Sequence, residues 1–126
     1  MPLRAHHIAV CVRDLAVSEA FYSRVLGLPV IRRWDDPEGR PRSLWVALGD
    51  GAFLAIERAS AEGPRRSDAA PGLHCLAFAI ERTEREAVRA RLSREGYAVE
   101  RETDYTLYTR DPDGVLIGLS HYPDKA

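Results

Sequence analysis

No long apolar run, no excess of either charge and no CxxC pair occurs in this sequence, and each absence removes a class of function. The N-terminal stretch MPLRAHHIAVCV holds too short an apolar run for a signal peptide or a membrane span. A cytoplasmic protein with no membrane partner is expected. Lys and Arg number 18 against 19 Asp and Glu, a net charge of −1. No basic stripe is interleaved with aromatics, so nucleic acid is excluded as an expected partner. The two cysteines, Cys11 and Cys75, fall inside separate strand-like apolar runs. In a reducing compartment that pattern reads as two small buried thiols rather than a disulfide.

What is present is a repeat. At 126 residues with 45% apolar and 29% charged residues, the chain is one domain with one substantial core. AHHIAVCV is rich in β-branched residues and predicts a strand. Asp14 then caps a helix whose apolar face is Leu15, Phe21, Tyr22, Val25 and Leu26, ended by Gly27. PVIRRW, RSLWVALG and AFLAIE follow as strands, the last two joined by Asp50-Gly51, a strong hairpin signal. Residues 59–72, with two Pro and two Gly, read as a linker. The pattern then restarts: LHCLAFAI as a strand, a Thr83–Glu86 capping box for a helix through Val88 and Leu92 ended by Gly96, and three strands in YAVERE, YTLYTR and VLIGLSH. The last hairpin turns at Asp113-Gly114.

Two βαβββ modules result, residues 5–58 and 73–122. Neither closes a sheet alone. Side by side they predict an α+β fold in which the modules form a half-open barrel around a shared pocket, in a homodimer. His7 opens the first copy as His74 opens the second, so HIAVCVRD matches HCLAFAIE. Alternate strand residues face opposite ways, which sends His7 and Cys11 towards the pocket and His6 away. Imidazole suits Zn, Fe, Ni or Cu, but two nitrogens rarely suffice without a carboxylate. Trp45, Tyr105 and Tyr108 offer a wall for a flat ligand. Glycine inside a strand marks a bulge or a close approach, and Gly118 interrupts the VLIGLSH run.

HHIAVCVRDLAVSEAFYSRVLGLPV and TRDPDGVLIGLS resemble the vicinal oxygen chelate superfamily of glyoxalase, bleomycin-resistance and extradiol dioxygenase proteins. The resemblance spans both modules. It implies a metal site with a histidine from each module's first strand, here His7 and His74, plus a carboxylate or amide from the last strands. Those last positions are Ala55 and Gly118, so both carboxylates are missing. The dioxygenases and fosfomycin-modifying members use the second module's carboxylate, which Gly118 cannot supply. Where glyoxalases tend to carry a basic residue for glutathione, this chain has Cys11. Glu57, two residues beyond Ala55 on the same face, becomes a ligand only if the strand slips after the Asp50-Gly51 turn; otherwise it ends the strand in solvent. His121 faces away from Gly118 unless the strand bulges there.

Two functions follow as expectations. One is a divergent enzyme in which His7, His74 and Glu57 hold Fe, Mn, Zn, Ni or Co and activate a small substrate. The other is a metal-free protein that binds or sequesters a small molecule of antibiotic type, with no cofactor. In either case Cys11, Trp45, Ala55, Phe78, Tyr105, Tyr108 and Gly118 are the expected pocket residues.

Overall fold

The computed structural model describes residues 2–125. It divides into two compact units, one up to Gly63 and one from Pro64, and the division falls inside the 59–72 stretch. The first unit runs β1 (His7–Val12), α1 (Leu15–Glu19), β2 (Val30–Asp35), β3 (Pro41–Gly49) and β4 (Ala52–Arg58). The second runs β5 (Cys75–Ala79), α2 (Arg85–Arg94), β6 (Arg101–Glu102), β7 (Thr106–Arg110) and β8 (Leu116–Ser120). Each is a βαβββ module, and the α+β class is as expected. The sheets are ordered β1-β4-β3-β2 and β5-β8-β7-β6, and neither closes on itself. In each, the outer pair β1/β4 or β5/β8 is parallel and the remaining pairs are antiparallel. No described helix is long and apolar enough to cross a membrane.

The first module's helix starts as the sequence implies, with Asp14 Oδ1 accepting from the Val17 amide at 3.1 Å. After Glu19 it widens into a π-helical stretch, Ala20–Val25. The Leu26 amide reaches back five residues to the Phe21 carbonyl. Phe21, Tyr22 and Val25 are fully buried there, so the register of the wide turn serves packing. Beneath the helix lie Val10, Val12, Leu44, Val46, Leu54 and Ile56, all buried. Asp50 and Gly51 have φ of 53° and 85°, the left-handed pair that a two-residue hairpin turn requires.

The second module's helix begins differently from the sequence reading. Glu81, not Thr83, is the cap: its amide donates to Glu84 Oε1 at 2.7 Å, completing a capping box around a single 3-10 turn, Arg82–Glu84. The chain therefore turns two residues earlier than expected, and Val88 and Leu92 are still delivered to the core. The final turn also departs from a simple hairpin. Asp111 Oδ1 accepts from the Asp113 and Val115 amides at 2.9 and 2.8 Å, and only Gly114 takes a positive φ. A buried Asp carboxylate, rather than an Asp-Gly pair, shapes that loop.

Candidate functional site: the open sheet faces

Strand parity gives each sheet a packed side and an open side. In the first sheet the ladders put His7 beside Phe53, Ala9 beside Ala55, and Cys11 beside Glu57. Further across, Trp45 lies beside Ala55 and Arg32, and Ser43 beside Glu57 and Trp34. These residues share the open side. His7, Ala9 and Cys11 are exposed, whereas Val10 and Val12 on the other side are buried. Cys11 is thus not the buried thiol its apolar surroundings suggested.

Aromatic rings tile this face. His7 stacks on Phe53 with centroids 4.9 Å apart and planes within 7°. Phe53 stacks on Trp45 at 4.2 Å, and Trp45 meets Trp34 at 5.6 Å. The Arg32 guanidinium closes the strip, 4.1 Å from the centre of Trp34. His7 Nδ1 is also 2.8 Å from His6 Nδ1, one ring donating and the other accepting. A cavity of about 390 Å³ opens beside this unit's helix, with Leu15, Trp34, Pro41, Ser43 and Arg58 in its wall, a volume in the range of small-molecule sites. The buried Ser43 hydroxyl has no hydrogen-bond partner among the described residues.

The second sheet's open side follows from the same ladders: Cys75 beside Leu116, Ala77 beside Gly118, Ala79 beside Ser120. Tyr108 pairs with Gly118 on one side and Arg101 on the other. Leu76 and Phe78 share the opposite, packed side with Ile117, Leu119 and Leu107. Phe78, half-buried, therefore lies on the packed side and not on the open face. Tyr105 precedes β7 on that same parity and edges against Tyr122 and His121, with centroids 5.0 and 6.4 Å away. It too lies off the open face.

The register corrects one central expectation. Ala9 faces Ala55 as Ala77 faces Gly118, so the residue equivalent to His7 is Cys75, not His74. Matching the two histidines by sequence slides the modules by one residue, and a one-residue slip exchanges the faces of a strand. His74 itself precedes β5 and is exposed. Burial pushes the Cys75 thiol above its ordinary value, opposed in part by the Gly118 backbone and by Arg101 and Arg110.

Glu57 is not brought to His7 either. The β1–β4 pairing is regular from Phe53 to Arg58, and the one irregularity in the β3–β4 ladder lies at the turn, between Ala47 and Gly49. Glu57 therefore sits in the row of Cys11, four residues along from His7, roughly 13 Å at strand spacing. Ala55 and Gly118 carry no donor atom. Among the described residues no group of three His, Cys, Asp or Glu side chains stands together in a way that could hold a metal. The donor set does not fit the divalent ion that the family resemblance implies.

Gly118 has a packing reason. A Cβ there would lie 3.2 Å from Thr106 Cγ2, 3.4 Å from Ala77 Cβ and 3.4 Å from Tyr108 Cε1. The missing side chain lets the Tyr108 ring lie across the strand, so its space is filled by the protein. His121 faces the other way, as its parity implies. It is buried, and Arg85 Nη1 donates to its Nε2 at 2.7 Å. A guanidinium only donates, so the ring is the Nδ1–H tautomer, donating to the Asp124 carbonyl.

Residues 4–119 match the family model described as the glyoxalase/bleomycin resistance protein/dioxygenase superfamily. Among solved structures, a glyoxalase family protein from Enterococcus faecalis is 30% identical with a TM-score of 0.75, covering 94% of this chain and 97% of that one. A glyoxalase/dioxygenase from Nostoc punctiforme is 21% identical with a TM-score of 0.80, covering 96% and 92%. The fosfomycin resistance protein FosX of Listeria monocytogenes, determined with Mn(II) and dihydroxypropylphosphonic acid, is 21% identical with a TM-score of 0.75, covering 95% and 93%. No curated protein matches. With the family model spanning both modules and the ladders reproducing the same unit twice, the chain belongs to the glyoxalase/bleomycin resistance protein/dioxygenase superfamily.

Proposed function

We propose that this protein binds a small organic molecule on its open sheet faces without a resident metal, as a ligand-sequestering member of its superfamily. The observation that carries this reading is the donor set. Glu57 stands four residues from His7, Ala55 and Gly118 carry no donor, and Cys75 takes the position equivalent to His7. What the first face offers instead is aromatic surface from the half-buried Trp45 and Trp34, backed by Phe53, which lies buried between His7 and Trp45. Such surface binds flat molecules by dispersion and ring electrostatics.

A metal-dependent enzyme is the second reading, favoured by the exposed His6–His7 pair with its two nitrogens 2.8 Å apart. Elemental analysis of untagged protein, incubated with Fe, Mn, Co, Ni or Zn and then desalted, separates the two. The sequestering reading expects far less than one metal per chain. It also expects stabilisation by hits from a small-molecule library to survive EDTA; a ligand at a hundred times its Kd raises stability by about 2.7 kcal/mol. Near-stoichiometric metal that is lost in His7→Ala, or ligand binding abolished by EDTA, overturns it.

A further inference from the structure

The two modules repeat more than their strands. Across the first sheet one row reads Arg32, Trp45, Ala55, Ala9. Across the second, the row at the same ladder position reads Arg101, Tyr108, Gly118, Ala77. Each row is an edge arginine, an aromatic ring, a minimal residue and an alanine. The correspondence is in chemistry as well as register, and it appears only once Cys75 rather than His74 is matched to His7.

The two arginines differ from their neighbours. Arg33, next in sequence to Arg32, is held on the packed side by a two-pronged pair with Glu19 at 2.7 and 2.6 Å. Arg110, in the row beside Tyr108, is held by Asp68 and Glu100. Arg32 and Arg101 are exposed and have no carboxylate partner among the described residues. Each instead lies over a ring, Arg32 at 4.1 Å from the Trp34 centroid and Arg101 at 4.5 Å from that of Tyr108. Stacking holds a guanidinium flat while leaving its in-plane N–H groups free, the arrangement that receives a carboxylate two-pronged.

We propose that these rows select an anionic aromatic molecule, its ring against Trp45 and Trp34 or Tyr108 and its carboxylate on Arg32 or Arg101. This rests on the metal-free small-molecule reading and names the ligand class. Charge and surface chemistry converge: a cation without a carboxylate partner among the described residues beside an aromatic ring, twice. A neutral aromatic would leave the guanidinium unanswered, and an aliphatic anion would leave the rings unused.

The chain's two tryptophans are Trp34 and Trp45, so intrinsic fluorescence reports this face directly. The probes are 2-naphthoate, 2-naphthylmethanol and 2-naphthylmethylammonium, titrated into the full chain at low and high salt. Saturable quenching by 2-naphthoate is expected, about tenfold or more tighter than by the alcohol and weakened by salt. Arg32→Gln should remove that preference while leaving the alcohol's affinity unchanged, and Arg33→Gln should leave both unchanged. Arg101→Gln is read by calorimetry, and a further loss of naphthoate affinity is expected. Equal affinity for anion and alcohol, tighter binding of the ammonium, or an Arg33→Gln loss as large as that of Arg32→Gln overturns the assignment while leaving the small-molecule reading standing. No saturable quenching by any probe at millimolar concentration overturns it too. The EDTA-resistant library hits of the previous test then decide the broader reading separately.

Discussion

Tyr108 lies across Gly118 with its Cε1 atom 3.4 Å from where a Cβ would stand. Thr106 and Ala77 close the remaining sides at 3.2 and 3.4 Å, so the glycine is a seat for a ring. Gly118→Ala is expected to destabilise by about 1 kcal/mol as these neighbours shift by tenths of an ångström. For a domain of this size that is a fall of roughly 3–6 °C in Tm. Gly118→Asp, which restores the carboxylate expected there from the family resemblance, should cost more than Gly118→Ala. Thermal unfolding of the three proteins checks the order, and an Asp variant as stable as the parent contradicts it.

The repeat, most of the strands and both helix ends at Gly27 and Gly96 were legible because periodicity and turn chemistry are local, whereas of the strand expected in YAVERE only Arg101–Glu102 forms. The face of each strand was legible in parity but not in absolute sense. HCLAFAIE has small residues on one side and Leu76, Phe78 and Ile80 on the other, and only the packing partners Ile117 and Leu107 reveal which side is core. Anchoring the alignment on two histidines therefore placed His74 where Cys75 stands. The capping box moved for a similar reason: Thr83–Glu86 and Glu81–Glu84 both have the spacing, and the tertiary position of the turn chooses between them. The Arg–aromatic rows were invisible because they join residues from four separate strands.

Ser43 is 2% exposed and its hydroxyl has no partner among the described residues. A buried hydroxyl without a hydrogen bond carries an uncompensated desolvation cost. Ser43→Ala is therefore expected to leave stability unchanged or raise it by up to about 1 kcal/mol. Chemical denaturation with an unchanged m-value checks this, and a loss above about 1 kcal/mol would show that the hydroxyl is bonded in solution.

Arg85 is 7% exposed and joins three groups in the second module. It donates to His121 Nε2, to Glu102 Oε1 at 3.1 Å and to the Thr103 carbonyl at 2.7 Å. Removing it strands a buried imidazole nitrogen and a carbonyl. Arg85→Ala should cost about 2–4 kcal/mol, within the range for breaking a buried polar network from one side. Arg85→Lys should recover only part of this, because an ammonium cannot span the same acceptors with a flat fork. Equilibrium unfolding in urea gives both values, and full recovery by lysine would mean that charge alone matters.

Acid sensitivity follows from two carboxylates. Hydrogen bonds from Arg89 and then Arg85 bring Glu102 from 4.5 down to about 2. The Arg40 backbone amide and then Arg58 bring Asp36 from 3.8 down to about 2. Folding favours the ionised form of each group. Their contribution is complete above the ordinary carboxylate range and is lost as the pH falls from about 4.5 towards 2. Glu102 remains 46% exposed, so added salt should weaken its share. The Tm is expected to fall across that interval, with a shallower fall in Glu102→Gln. The variant should be less stable than the parent at pH 6 and close to it at pH 2. A constant difference between the two proteins from pH 6 to 2 would remove Glu102 from the acid response.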